Sequence, residues 1–260
     1  MPPGLFLGFD AATKTFAWSL GRIDLAGVAV DRRDLDALRR AVESLGRAVE
    51  SLQRDLGGGR DAAELRRDID TASAAAESAR VEAARLDAAS ASRVAVLAGA
   101  TADLAPGVAD VALPTVARIR AVAGYVRGVV AAAVAAARAA TPGLPLRVVV
   151  EYQMGDNAPA RAVAAALVTL FIDEDVVFVG PTLKNTVALA PSLRLGEYNI
   201  RYSSYTANKN QSRDNFDRIL ALYPNSLAPM TAARRGHVAD SFMQILGMLV
   251  NGDGKENTRF

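Results

Sequence analysis

The chain opens on two short apolar runs. Leu5 to Asp10 reads as a buried strand, and Thr15 to Ile23 as a second strand returning from a turn at Thr13-Lys14. The period then changes. Leu35, Leu38, Val42, Leu45, Val49, Leu52 and Leu56 step by three and four in alternation. Gly57-Gly58-Gly59 interrupts them, and the same stepping resumes at Leu65, Ile69, Ala72, Ala76, Ala79, Ala83 and Leu86. Two seams joined by glycines predict an antiparallel coiled-coil hairpin over residues 31–90. Its second seam is mostly alanine, which permits close approach but buries little area.

After the hairpin the short-element pattern returns. Arg93 to Leu97 reads as a strand, and Pro114 to Ala140 as a long helix stopped by Thr141-Pro142-Gly143. Leu146 to Glu151 is an apolar strand, Arg161 to Phe171 a helix of small residues, and Val176 to Val179 another strand. A helix beginning near Lys209 runs to about Tyr223, and a last one covers about His237 to Val250. With the hairpin set aside the order is β-β-β-α-β-α-β-α-α. This predicts an α/β domain of residues 1–30 and 91–260, a mixed five-stranded sheet flanked by helices, with residues 31–90 inserted.

Composition narrows the chemistry. The 260 residues contain no cysteine, which excludes disulfides, thiolate zinc sites and cysteine nucleophiles. The start Met1 to Asp10 lacks a basic n-region, and the longest alanine-valine run, Val129 to Ala140, is too short to span a bilayer and contains Arg138. A soluble intracellular protein with no membrane partner is expected. Basic residues are almost all arginine; the lysines are Lys14, Lys184, Lys209 and Lys255. On that background a retained lysine suggests a need for a compact ammonium rather than a planar fork.

Three acids stand where packing alone does not place them. Asp10 ends the run from Leu5, Glu151 ends Val148-Val149-Val150, and Asp240 follows His237 by three residues on one helix face. A carboxylate at the tip of a buried strand loses hydration unless something pairs with it. Hard oxygen ligands suit magnesium or manganese. Taken singly, each has an ordinary reading: a turn aspartate, a salt-bridge glutamate, a helix N-terminal histidine. The order of all three acids carries the case.

The segments Gly8-Phe9-Asp10-Ala11-Ala12-Thr13-Lys14, Val149-Val150-Glu151-Tyr152-Gln153-Met154 and His237-Val238-Ala239-Asp240-Ser241-Phe242 resemble motifs of the RuvC-type Holliday junction resolvases. The second and third resemble most the resolvases of poxviruses and related large DNA viruses. The resemblance covers about two thirds of the chain, omitting roughly residues 31–90. It implies an RNase H-like fold, with Asp10, Glu151, His237 and Asp240 holding two Mg²⁺ ions for which Mn²⁺ can substitute. It also implies nicks with 5′-phosphate and 3′-hydroxyl ends. His237 departs from the poxvirus pattern, which has aspartate there; it is either a neutral ligand or a proton-transfer group. The family carries an active-site lysine between its glutamate and its final helix. Lys209 is preferred for that role over Lys184.

From Pro181 to Gly236 there are eight basic residues against three acidic, a balance of +5, whereas the whole chain carries +2. Positive charge gathered beside the acids suits a phosphate backbone, with Lys14, Lys184 and Arg213 as contacts. Tyr198, Tyr202 and Tyr205 stand among them and are candidates for stacking on unpaired bases or for packing. Two symmetric incisions in a four-way junction imply a homodimer, with the helix Arg161 to Phe171 or the hairpin as interface. Two alternatives remain open: another RNase H-like nuclease acting on forks, flaps or RNA–DNA hybrids, and a non-catalytic adaptor working through the hairpin.

Overall fold

The computed structural model describes residues 2–11, 15–55, 62–104, 114–152, 157–184 and 205–251, with the backbone alone at 55, 62 and 205–209. Two compact units divide the chain: Met1–Leu25 with Val94–Phe260, and Ala26–Arg93. The smaller unit contains most of α1 (Leu25–Asp55) and α2 (Ala62–Ser92). Every described position of the two predicted seams is buried or half-buried, with Leu35, Leu65 and Ala76 buried; Leu56 lies outside the described residues. Arg93 Nε lies 3.0 Å from Asp31 Oδ2, so the first turns of α1 and the residue after α2 come together. The Gly57-Gly58-Gly59 break lies outside the described residues.

The larger unit is built on a five-stranded sheet of order β3-β2-β1-β4-β5. Its strands are β1 (Gly4–Ala11), β2 (Thr15–Ile23), β3 (Val94–Asp103), β4 (Leu146–Glu151) and β5 (Asp175–Val179). β2 runs antiparallel to β1 and β3, while β1, β4 and β5 are parallel. β3 continues six residues past the predicted end at Leu97. Its Ala98-Gly99-Ala100 stretch has weak strand propensity, but pairing with buried β2 out to Thr15↔Asp103 overrides it.

One face of the sheet carries the main core. Leu5, Leu7, Phe9 and Ala11 of β1, with Trp18, Leu20, Val148 and Val150, meet a long helical segment formed by α3 (Thr115–Tyr125), a π turn (Val126–Val130) and α4 (Ala131–Ala140). Val122, Val126, Val130, Val134 and Ala137 form its buried row. The Val129–Ala140 run is thus only part of a 26-residue helix, Thr115–Ala140, the one described helix long and apolar enough to cross a bilayer by length and composition.

α5 (Ala158–Leu170) begins three residues before Arg161 because Asn157 caps it, accepting from the Ala160 N–H at 3.3 Å, with Pro159 in the first turn. Its Val163 and Leu167 lie in the same core, and the Phe171 ring stands 5.7 Å from Phe9. These apolar positions, offered as a dyad contact, are therefore used inside the chain.

The opposite face is covered by α6 (Tyr205–Leu222) and α7 (Ala232–Asn251), which pack on each other, α7 also lying on β1 and β2. α7 begins five residues before His237, where Thr231 closes its first turn. The helix lies close to the strands because a Cβ on Gly8 would overlap the Ser241 carbonyl oxygen. On the neighbouring strands the same holds at Gly21, where a Cβ would stand 2.7 Å from the Phe242 ring, and at Gly99, where it would stand 2.8 Å from Val238. Buried Ser241 and Ser19 hydroxyls meet at 3.0 Å across this contact.

Candidate active site

Strand alternation and register together bring the first two acids into one place. Leu5, Leu7 and Phe9 enter the α3–α5 core, so Asp10 turns to the α7 side; Val148 and Val150 do the same for Glu151. Phe9 is the register partner of Val150 across parallel β1 and β4. The next residue on each strand is the acid, so Asp10 and Glu151 stand side by side where the two strands end. Neither fact is visible in one strand alone.

α7 supplies the rest from one face. His237, Asp240 and Gln244 are spaced i, i+3, i+7 along it. His237 Nδ1 lies 3.3 Å from Asp10 Oδ2, and Gln244 Nε2 donates to Glu151 Oε2. Lys184 joins from the turn after β5, with Nζ 3.2 Å from Asp240 Oδ2 and 3.9 Å from Glu151 Oε2. That turn is fixed by the Leu183 N–H donating to the Gly180 carbonyl at 3.2 Å. It is also seated on α7, where a Cβ on Gly247 would overlap the Leu183 carbonyl. Gly247→Ala is therefore expected to lower stability by about 1–3 kcal/mol through overpacking. A urea titration of the variant checks this.

The electrostatics follow from burial. Asp10, Glu151 and Asp240 are only 6%, 5% and 6% exposed. Glu151 is pushed up to about 7, first by desolvation and then by the charge of Asp10; Lys184, outweighing the added repulsion of Asp240, and the Gln244 hydrogen bond pull the other way. Burial alone would lower Lys184, but Asp240, Glu151 and Asp10 outweigh it and hold the ammonium above its usual range. Among the described residues, with every acid ionised, three carboxylates face one ammonium, and two negative charges remain uncompensated.

These residues fit a hard divalent cation. Asp240 Oδ1 is buried without a hydrogen-bond partner, an arrangement that is costly unless a cation or donor meets it. The candidate ligands are carboxylate oxygens with one imidazole, the donor set of magnesium or manganese. Among the described residues, no three Asp, Glu or His side chains are yet drawn tight enough to hold an ion. The Lys184 ammonium instead bridges Glu151 and Asp240.

Of the other predicted residues, Lys14, Tyr198 and Tyr202 lie outside the described residues. Lys209 and Tyr205 belong to the first two turns of α6, where only backbone is described. Arg213 of α6 lies 3.8 Å from Asp214, and Arg235 lies 3.3 Å from Asp217. Lys184 is brought to the acids, whereas the side chain of Lys209 lies outside the described residues. Gln244 escaped the sequence reading altogether. Its signal was present: one uncharged polar residue inside Phe242-Met243-Ile245-Leu246, a turn beyond Asp240.

No protein-family model, no curated protein and no solved structure matches the chain. The functional reading rests on the geometry of these six side chains and on the motifs that contain them.

Proposed function

We propose that the chain is a divalent-cation-dependent endonuclease that cuts branched DNA, in an RNase H-like fold carrying an inserted antiparallel helical hairpin. The sheet order β3-β2-β1-β4-β5, with one antiparallel meander and a parallel second half, supports that fold. The half-buried seams of α1 and α2 and the Asp31–Arg93 pair support the hairpin. One observation carries the activity: Asp10, Glu151 and Asp240, far apart in sequence, converge around Lys184 in a buried site that is net-negative among the described residues.

Asp10, Glu151 and Asp240 would hold the cation, Asp240 through its unpartnered oxygen. Bound Mg²⁺ or Mn²⁺ would supply Lewis acidity at the scissile phosphate and a more acidic water. The protein's own groups do the rest. His237 orients the Asp10 carboxylate and, with its second ring nitrogen, is suited to proton transfer. Lys184 balances the acids and stands within reach of a phosphate oxygen placed over them. One divalent ion matches the two uncompensated charges while Lys184 stays. A second ion would require Lys184 to leave the acids. Paired incision of a four-way junction needs two copies of the site, hence a homodimer.

Incubation with an immobile four-way junction and with linear duplex of the same sequences tests the proposal. The junction should be bound in EDTA and nicked only when Mg²⁺ or Mn²⁺ is added. Equal cutting of the linear duplex would remove the junction selectivity, and no cutting of either with both metals would remove the nuclease.

A further inference from the structure

Gln244 is fully buried on α7, one turn beyond Asp240. Its two amide atoms have different fates. Nε2 donates to Glu151 Oε2, whereas Oε1 is buried with no hydrogen-bond partner. An unsatisfied buried acceptor costs about 1–3 kcal/mol. A residue kept only to pack the apolar interior between Met243 and Ile245 would be better as leucine or methionine. Two buried acceptors on the same helix face, Asp240 Oδ1 and Gln244 Oε1, have no donor among the described residues, which fits a group bound there from outside them. Lys184 already reaches the other oxygen of Asp240 and does not satisfy either atom.

We propose that Gln244 belongs to the cation site: its amide N–H fixes Glu151, and its Oε1 is a neutral acceptor for the divalent ion or for a water the ion carries. This rests on the metal-dependent reading above and adds a residue to it. A neutral oxygen fits the charge balance, since the three carboxylates already match the charge of one divalent ion and Lys184 together. It also fits hard-cation chemistry, in which amide carbonyls serve beside carboxylates. Gln244 acts on Glu151 as a positioning residue. Groups that orient a metal ligand typically change affinity 10–100-fold when removed.

The test uses the full chain and Mn²⁺ alone. Binding is read by titration calorimetry and by the Mn²⁺-induced rise in thermal midpoint, for wild type, Asp240→Asn, Gln244→Met and Gln244→Glu. Gln244→Met is expected to fold, to weaken Mn²⁺ binding at least about tenfold and to lose most of the induced rise. Gln244→Glu keeps an oxygen at that place but gives up the N–H to Glu151, so its affinity should fall less than that of Gln244→Met. If Gln244→Met lowers the metal-free midpoint yet binds Mn²⁺ like wild type, the amide is only structural and the inference is overturned. Equal loss in Gln244→Met and Gln244→Glu overturns the acceptor role. Should Gln244→Met not fold, Gln244→Leu is read in its place: weakening of at least about tenfold supports the proposal, and wild-type affinity overturns it. Failure of wild type to bind Mn²⁺ sinks the metal-dependent reading itself, whereas wild-type binding lost in Asp240→Asn but kept in Gln244→Met sinks only the role of Gln244.

Discussion

Asp10→Asn and Asp240→Asn are each expected to reduce metal-dependent junction cleavage by a factor on the order of 10³ or more, with junction binding in EDTA changed by less than about threefold. Each substitution removes one full negative charge and one hard ligand from a site where the remaining groups cannot compensate. Neither removes volume, so packing beneath α7 is retained. The same substitutions should make the metal-free protein more stable. In wild type, Asp10 and Asp240 both repel Glu151 across a buried site, and an amide at either position relieves that repulsion. The relief should be larger for Asp10→Asn, because Asp240 also has its ion pair with Lys184 to lose. Activity falling while the metal-free midpoint rises is the signature of a cation site. Cleavage unchanged in both variants, measured under single-turnover conditions with the junction, would show that the acids play no part in the reaction.

How much of this was readable beforehand differs between elements. β2 and β4 lie where the alternating and continuous apolar runs placed them, because both are central, buried strands whose local pattern and tertiary role agree. β3 was cut short, since Ala98 to Asp103 is held as strand by its partner rather than by its own side chains. The starts of α5 and α7 were set by Asn157 and Thr231, capping groups that apolar periodicity does not register. The acids themselves were legible as charges out of place. Their adjacency was not, because it depends on the register Phe9↔Val150, a pairing between strands separated by more than a hundred residues. The place of Lys184 beside the acids was not legible, because sequence offers no measure of where a turn is seated. That seat is the bare backbone of Gly247. Gln244 was passed over because an uncharged side chain in an apolar helix attracts no attention until its partner is known.

Raising the pH from about 4.5 to above 7 is expected to destabilise the metal-free protein, and the cause is Glu151. In the unfolded chain its carboxyl loses its proton near the ordinary value of 4.5; in the folded site desolvation and Asp10 hold the proton until about 7. Between those values the folded state binds more protons than the unfolded state, so stability falls as pH rises and levels off above the folded value. The full span corresponds to roughly 3 kcal/mol at most, shared among the coupled acids rather than owned by one. Lys184 does not blur this window: its elevated value keeps it charged throughout, so its contribution is lost only at far more alkaline pH. Urea unfolding in EDTA at half-unit steps from pH 4 to 9, for wild type and Glu151→Gln, isolates the effect as the difference between two curves. Glu151→Gln should be flatter across the window and more stable above it. Saturating Mn²⁺ should flatten the wild-type curve as well, because a cation favours the ionised carboxylate that burial opposes. Parallel curves for the two proteins in EDTA would mean that Glu151 loses its proton at the same pH in the folded site as in the unfolded chain, and that Lys184 and the Gln244 hydrogen bond offset burial and both neighbouring aspartates.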